Sequence, residues 1–203
     1  MIPIFNPFVP DTVIDRVAST LRDGWLSEGK NVREFEETFS SHFNLQNSLA
    51  VNSGTAALHL AVLGAGVGAG DEVIVPAQTF VATATSVMMA GGIPVFADIQ
   101  PGGPNIDPND IEHRITEKTK AIIPVHYGGY PCDMDEISQI ARKHDLCVIE
   151  DAAHALGATY KGKPIGSLGT FSVFSFQAIK QLTTGDGGML VAKDYQDYKA
   201  AYR

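Results

Sequence analysis

Residues 121–151 read AIIPVHYGGYPCDMDEISQIARKHDLCVIED. An apolar run, Ala121–Val125, is followed by Met134–His144, where Met134, Ile137 and Ala141 recur at helical spacing, and then by a second apolar run, Leu146–Glu150. Strand, helix and strand in one short span predict two parallel strands, because the helix must cross a sheet face to return the chain to the same end. The alternation continues outward. Leu49–Asn52, Glu72–Val75 and Pro94–Ala97 read as strands before this unit, and Phe171–Phe176 and Met189–Ala192 after it. Thr55–Leu63, Phe80–Ala90 and Asn109–Arg114 read as helices, with Asp107-Pro108 and Asp133 in cap regions. The expected fold is α/β: a three-layer sandwich whose mixed, mainly parallel sheet carries helices on both faces.

The 203 residues, 44% hydrophobic and 19% charged, suffice for one large domain with a substantial core. A net charge of −8 with no clustering of Lys and Arg argues against nucleic acid or an anionic membrane as partner. The N-terminal MIPIFNPFVPDTV lacks a basic stretch followed by an apolar segment, and no run approaches the roughly 18 apolar residues of a membrane span, so a cytoplasmic protein is expected. Cys132 and Cys147 lack metal-ligand spacing and read as reduced packing residues, and no metal site is expected. Ala200-Ala201-Tyr202-Arg203 reads as the beginning of a helix, with more protein expected after it.

Three segments carry chemistry. In Asn52-Ser53-Gly54-Thr55-Ala56-Ala57 an apolar strand gives way to small and hydroxyl residues that open a helix. The first turn of a helix presents unpaired N–H groups at the positive end of the dipole, and Gly54 admits a phosphate close to the backbone. A plain N-cap fits the same residues. By contrast, Gly64–Gly70 can be laid on the dinucleotide pattern G-x-G-x-x-A, but it follows a helix and runs into a strand, and so reads as a loop.

The second segment is Leu146–Asp151, a buried-strand run ending in two acids before Ala152-Ala153-His154. A carboxylate at the C-terminal end of a parallel strand sits where α/β folds bind ligands. Asp151 is there able to pair with a cationic ring nitrogen, as pyridoxal phosphate requires to act as an electron sink, or simply to cap the next helix. The third segment, Phe174–Gly188, holds one lysine, Lys180, among apolar and hydroxyl residues, with no other charged residue before Asp186. Such a lysine is placed for a depressed pKa and a Schiff base with an aldehyde; a solvated loop lysine is the other reading.

In this order the segments resemble the DegT/DnrJ/EryC1/StrS family of sugar aminotransferases, and the resemblance spans almost the whole chain. It includes Gly24-Trp25-Leu26-Ser27-Glu28-Gly29 with Phe35-Glu36, Asn52–Leu58, Pro76–Thr83, Pro124-Val125-His126, Asp133-Met134-Asp135, Glu150–Ala155 and the Lys180 segment. The resemblance implies the large domain of a type I, aspartate aminotransferase-like fold with an N-terminal arm, ahead of a small C-terminal domain. It also implies pyridoxal 5′-phosphate as cofactor, with Lys180 and Asp151 catalytic. Lys180 would hold the cofactor and shuttle the proton, Asp151 would pair with the ring nitrogen, His154 would lie near the phenolic oxygen, and Phe80 would stack on the ring. Thr55, Ala56 and Ser175 would hold the phosphate, and Gly24, Trp25, Leu26 and Ser27 would meet the substrate. Phe80 as core, His154 as a buried imidazole and Ser175 as a strand hydroxyl are the competing readings, and His126 reads as packing or hydrogen bonding. The implied reaction takes the amino group from L-glutamate to a keto group of a nucleotide-linked deoxysugar, in a homodimer with its active site at the subunit interface. Gln177 stands where many members carry His, and Lys180 stands where a dehydratase branch carries His, which favours transamination. Dehydration, amino transfer to a cyclitol or octulosonate, and a non-catalytic binding module are the alternatives.

Overall fold

The computed structural model describes residues 6–202, so Met1–Phe5 of the N-terminal stretch and Arg203 of the Ala200–Arg203 stretch lie outside the described residues. Helices α1 (Asp11–Asp23) and α2 (Lys30–Phe43) lead into β1 (Ser48–Val51), α3 (Gly54–Gly64), β2 (Glu72–Pro76), α4 (Ala82–Met89) and β3 (Ile93–Ala97). There follow α5 (Pro108–Arg114), β4 (Thr119–Ile122), a 3-10 turn at Tyr127–Gly129, α6 (Met134–His144) and β5 (Cys147–Asp151). A small hairpin of β6 (Thr159–Tyr160) and β7 (Lys163–Pro164) precedes β8 (Phe171–Ser175), β9 (Gly188–Ala192) and α7 (Tyr195–Tyr202).

Seven strands form one sheet in the order β1-β9-β8-β5-β4-β2-β3. From β8 through β3 each neighbouring pair is parallel, whereas β9 runs antiparallel to both β8 and β1. The connection explains the exception: β9 follows β8 through a loop with no crossover helix, and such a link returns the chain antiparallel. Residues along each strand alternate between two cores. Val73, Val75, Ala121, Ile123, Ile149, Phe171, Val173, Leu190 and Ala192 pack on one face with Ala57, Leu58, Ala61 and Val62 of α3 and with α4 and α7. On the other face, Ile74, Ile122 and Val148 meet Ile111 of α5 and Met134, Ile137 and Ala141 of α6. Phe174, Phe176, Met189 and Val191 meet Phe39 of α2. This is the expected mixed, mainly parallel three-layer sandwich.

All seven expected strands form, with shifted ends. The largest shift is at β4, expected over Ala121–Val125 and found at Thr119–Ile122, because Pro124 has no N–H to give a ladder. Val125 keeps only an isolated bridge to Asp151. The expected helices form as α3 to α6, and Asp107 caps α5 by accepting from Asn109 N–H at 2.9 Å with Pro108 in the first turn. Asp133 occupies the N-cap of α6 without capping it; its carboxylate accepts from Gln100 Nε2 at 2.6 Å instead. The glycines from Gly64 to Gly70 form the loop between α3 and β2, with Gly66 and Gly70 at positive φ. Helices α1 and α2 and the β6–β7 hairpin were not anticipated. No helix among the described residues is long and apolar enough to cross a membrane.

Candidate functional site

Because β4, β5 and β8 are parallel, their C-terminal ends meet at one edge of the sheet, and the loops leaving them gather there. Asp151, the last residue of β5, is buried, with its N–H donating to Pro124 O at 2.9 Å and its carbonyl accepting from His126 N–H at 3.1 Å. Its carboxylate is held from two directions: Oδ2 accepts from Thr83 Oγ1 at 2.8 Å, and Oδ1 from Ala153 N–H at 3.2 Å. No helix follows β5, so Asp151 caps none; the chain turns, with Ala155 N–H donating to Ala152 O.

Lys180 lies in the loop between β8 and β9, half-buried, with its backbone N–H on Gln177 O at 2.8 Å. Burial lowers its pKa below the usual lysine value, and the nearby negative charge of Asp151 opposes that shift. His154, on the turn after β5, is also shifted down, first by burial and then by the positive charge of Lys180, with Asp151 again opposing. Its Nδ1 accepts from Gly128 N–H at 3.3 Å, so the ring's proton is on Nε2. The three side chains thus form one electrostatically linked cluster. A lysine whose pKa is lowered is neutral, and so nucleophilic, at a lower pH than its ordinary neighbours. Borohydride trapping of a small soluble aldehyde across pH is expected to reach half-maximal labelling of Lys180 at lower pH than labelling of the chain's exposed lysines. Coincident profiles from peptide mass spectrometry would contradict it.

A second feature borders the cluster. Ser53 caps α3 by accepting from Ala56 N–H at 3.1 Å, which leaves the N–H groups of Gly54 and Thr55 as the open donors of the first turn. Ser175 ends β8 directly against this turn: a Cβ on Gly54 would come within 3.0 Å of Ser175 Cβ. Gly188 closes the same corner, since a Cβ there would meet the Ser53 carbonyl at 2.5 Å. Phe80, just before α4, is 68% exposed, which excludes the core reading for its ring.

The neighbour of Asp151 has a structural task. Glu150, fully buried, accepts at Oε1 from Leu168 N–H, Gly169 N–H and Ser172 Oγ, and at Oε2 from Gly166 N–H and His126 Nε2. Burial pushes its pKa up, but the hydrogen bonds from His126, Gly169 and Gly166 outweigh burial and hold it below the usual value. His126 Nδ1 accepts from Cys132 N–H at 3.0 Å, placing the ring proton on Nε2. These bonds tie the loop before β8, the end of β4 and β5 together behind Asp151. Thr83, Glu150 and Gly128 were not singled out from sequence; the paired hydroxyls of Thr79 and Thr83, one helical turn apart beside Phe80, were a usable sign. Both cysteines are free, and burial pushes the Cys147 thiol up to about 11 and that of Cys132 further.

Gly24, Trp25, Leu26 and Ser27 lie elsewhere, in the turn between α1 and α2, where Gly24 ends α1 in the left-handed conformation. Trp25 and Leu26 are 66% and 70% exposed, and the indole N–H of Trp25 donates to Glu28 O at 2.8 Å. Trp25, Leu26 and Ser27 border an open pocket of about 570 Å³ with Lys30 and Arg33, and none of its lining residues belongs to the Asp151–Lys180 cluster.

Known proteins share this frame. The spore coat polysaccharide biosynthesis protein SpsC of Bacillus subtilis is 48% identical over 193 residues, which cover 95% of this chain and 50% of that protein. The GDP-perosamine synthase of Caulobacter vibrioides is 48% identical over 181 residues, covering 89% and 49% respectively. Among solved structures, Spr1654 of Streptococcus pneumoniae in its PLP form superposes with a TM-score of 0.94 at 38% identity, over 99% of this chain and 57% of that one. The chain spans about half the length of the curated relatives it matches. Residues 9–203, every element from α1 to α7 included, match the family's sequence pattern, and with this fold the chain belongs to the DegT/DnrJ/EryC1/StrS aminotransferase family.

Proposed function

We propose that this chain is the cofactor-carrying part of a pyridoxal-phosphate-dependent aminotransferase that moves an amino group from L-glutamate to a keto group of a nucleotide-linked deoxysugar. The observation that carries the reading is the convergence at one sheet edge of a buried carboxylate, a half-buried lysine of lowered pKa and an open helix N-terminus topped by a hydroxyl. The relative named as a GDP-perosamine synthase and the neighbour solved in a PLP form support it.

The residues fit the cofactor. The first turn of α3, at Thr55 and Ala56, together with Ser175 would hold its phosphate, since unpaired N–H groups and the helix dipole favour an anion. Ala56 N–H is engaged by Ser53 Oγ, so Gly54 and Thr55 N–H are the open donors of the turn. Asp151 would face the ring nitrogen, the exposed Phe80 would cover a ring face, and His154 would approach the phenolic oxygen. When bound, pyridoxal phosphate supplies an electron sink for the charge left on a substrate carbon that loses its proton. Lys180 would hold the cofactor, take that proton on Nζ and return it, acting as base and then as acid. The negative charge of Asp151 would favour the protonated ring nitrogen throughout.

The Gly24–Ser27 turn, with Lys30 and Arg33 beside it, would take the phosphate-bearing substrate, in a homodimer whose subunits meet at the active site. The chain would form the large domain and N-terminal arm, followed by a small domain. Highly charged substrates of this kind do not cross a bilayer unaided, which fits a cytoplasmic enzyme. The test is to add pyridoxal phosphate and L-glutamate to the purified protein and measure 2-oxoglutarate, then supply a nucleotide-linked keto sugar and look for the amino sugar by mass spectrometry. Stoichiometric 2-oxoglutarate followed by the amino product is expected. Bound cofactor that L-glutamate leaves unchanged would count against the donor half of the reading, and an untouched keto sugar against the acceptor half.

A further inference from the structure

We propose that Thr83, backed by Thr79, is the positioning residue that orients the Asp151 carboxylate for its partner. The inference rests on the reading of Asp151 as the partner of the cofactor's ring nitrogen and adds a residue to it. Thr83 is fully buried on α4, and its Oγ1 lies 2.8 Å from Asp151 Oδ2 and 2.8 Å from Thr79 Oγ1. A hydroxyl has one proton to give, and a carboxylate accepts only. The charge-assisted bond to Asp151 is the stronger of the two, so Thr83 donates there and Thr79 donates to Thr83. The two hydroxyl dipoles then point the same way, toward the carboxylate, and each strengthens the other.

The geometry gives this pair more than a solvating task. Asp151 Oδ2 is fixed from α4, while Oδ1 is fixed by Ala153 N–H on the chain after β5. Rotation of the carboxylate about its own bond breaks one of these contacts, so its plane is set by two separate elements. Each oxygen can accept two hydrogen bonds and here accepts one from Thr83 or Ala153, which leaves one position on each for an incoming cation. Thr83 N–H donates to Phe80 O at 3.1 Å, so the turn that displays the exposed ring of Phe80 also delivers the donor to Asp151. Ring face and ring nitrogen would therefore be gripped from a single turn of backbone. As a β-branched residue, Thr83 has restricted freedom about χ1, which suits it to holding one donor direction.

Thr83→Val keeps the shape and removes the donor, and Thr83→Ser restores the donor. The wild type and both variants are titrated with pyridoxal phosphate, and the absorption spectrum is recorded at saturation, where any loss of stability is offset by ligand. Loss of one hydrogen bond to a charged group is expected to weaken cofactor binding in Thr83→Val about tenfold or more, with a displaced visible band. Thr83→Ser is expected to recover the wild-type band and most of the affinity. A packing role alone would leave the saturated spectrum of Thr83→Val at the wild-type position, and that result overturns the proposal while leaving the cofactor reading intact. Should Thr83→Val fail to fold, Thr79→Val carries the test: weaker binding with a band displaced in the same direction supports the proposal, and wild-type values overturn it. Absence of a bound band in the wild type removes the cofactor reading itself, and the proposal with it.

Discussion

If Lys180 holds the cofactor and carries the proton as proposed, replacing it by Ala is expected to lower the proposed amino transfer from L-glutamate by a factor on the order of 10⁴ or more, because both roles would be lost together. The structure offers no substitute close by. His154, the other basic side chain of the cluster, has its Nδ1 occupied by Gly128 N–H and is itself disfavoured as a cation by burial. Lys180→Arg is expected to fail nearly as badly, since it retains the positive charge but not the nucleophile, and guanidinium does not lose its proton in proteins. The measurement is single-turnover formation of 2-oxoglutarate by cofactor-loaded protein, with borohydride trapping as the parallel readout of attachment. A fully active Lys180→Ala protein would sink the mechanism and not merely adjust it.

The second large effect is expected at Asp151. Asp151→Asn preserves size and an acceptor for Thr83 Oγ1, but it removes the charge and turns an NH₂ group toward Ala153 N–H, where two donors would face each other. If the carboxylate pairs with a ring cation in a buried site, breaking that pair costs about 3–5 kcal/mol, or roughly 10²–10⁴ in rate and cofactor affinity combined. The same buried carboxylate opposes the lowering of the Lys180 pKa. Its neutralisation should therefore shift labelling of Lys180 by a soluble aldehyde to still lower pH. Parallel losses in kcat/KM and in cofactor retention, with earlier labelling of Lys180, are the expected outcome. Unchanged cofactor retention in Asp151→Asn would mean that the carboxylate serves the fold alone.

Much of this was legible in the residues. The strands are legible because their apolar runs are short and bounded by turns, and α6 is legible to the residue because Met134, Ile137 and Ala141 keep the helical period between the Asp133 turn and a basic last turn. Helix α2 carries a readable sign in the sequence: Phe35, Phe39 and Phe43 recur every four residues, and their rings interlock with one another and with Phe174 and Phe176. Helix α1 carries a similar sign, since Val13, Ile14, Val17 and Leu21 recur at helical spacing, although all four are exposed in this chain.

The sequence alone determined the seven strands of the main sheet, helices α3 to α6, the mainly parallel sheet, and the residue types able to bind an anion, pair with a cation and act as a nucleophile. These are encoded locally, in periodicity and in a few adjacent side chains. The strand order was decided only by the tertiary structure, because β9 inserts between β1 and β8, which lie far apart in the chain. So were the contacts that depend on it. Thr83 reaches Asp151 across 68 residues, and Gly54 meets Ser175 because β8 ends against the first turn of α3. A hydrogen bond needs its partners within about 3 Å and well aligned, and that condition is met by the packing of whole elements, which no local pattern in the chain expresses.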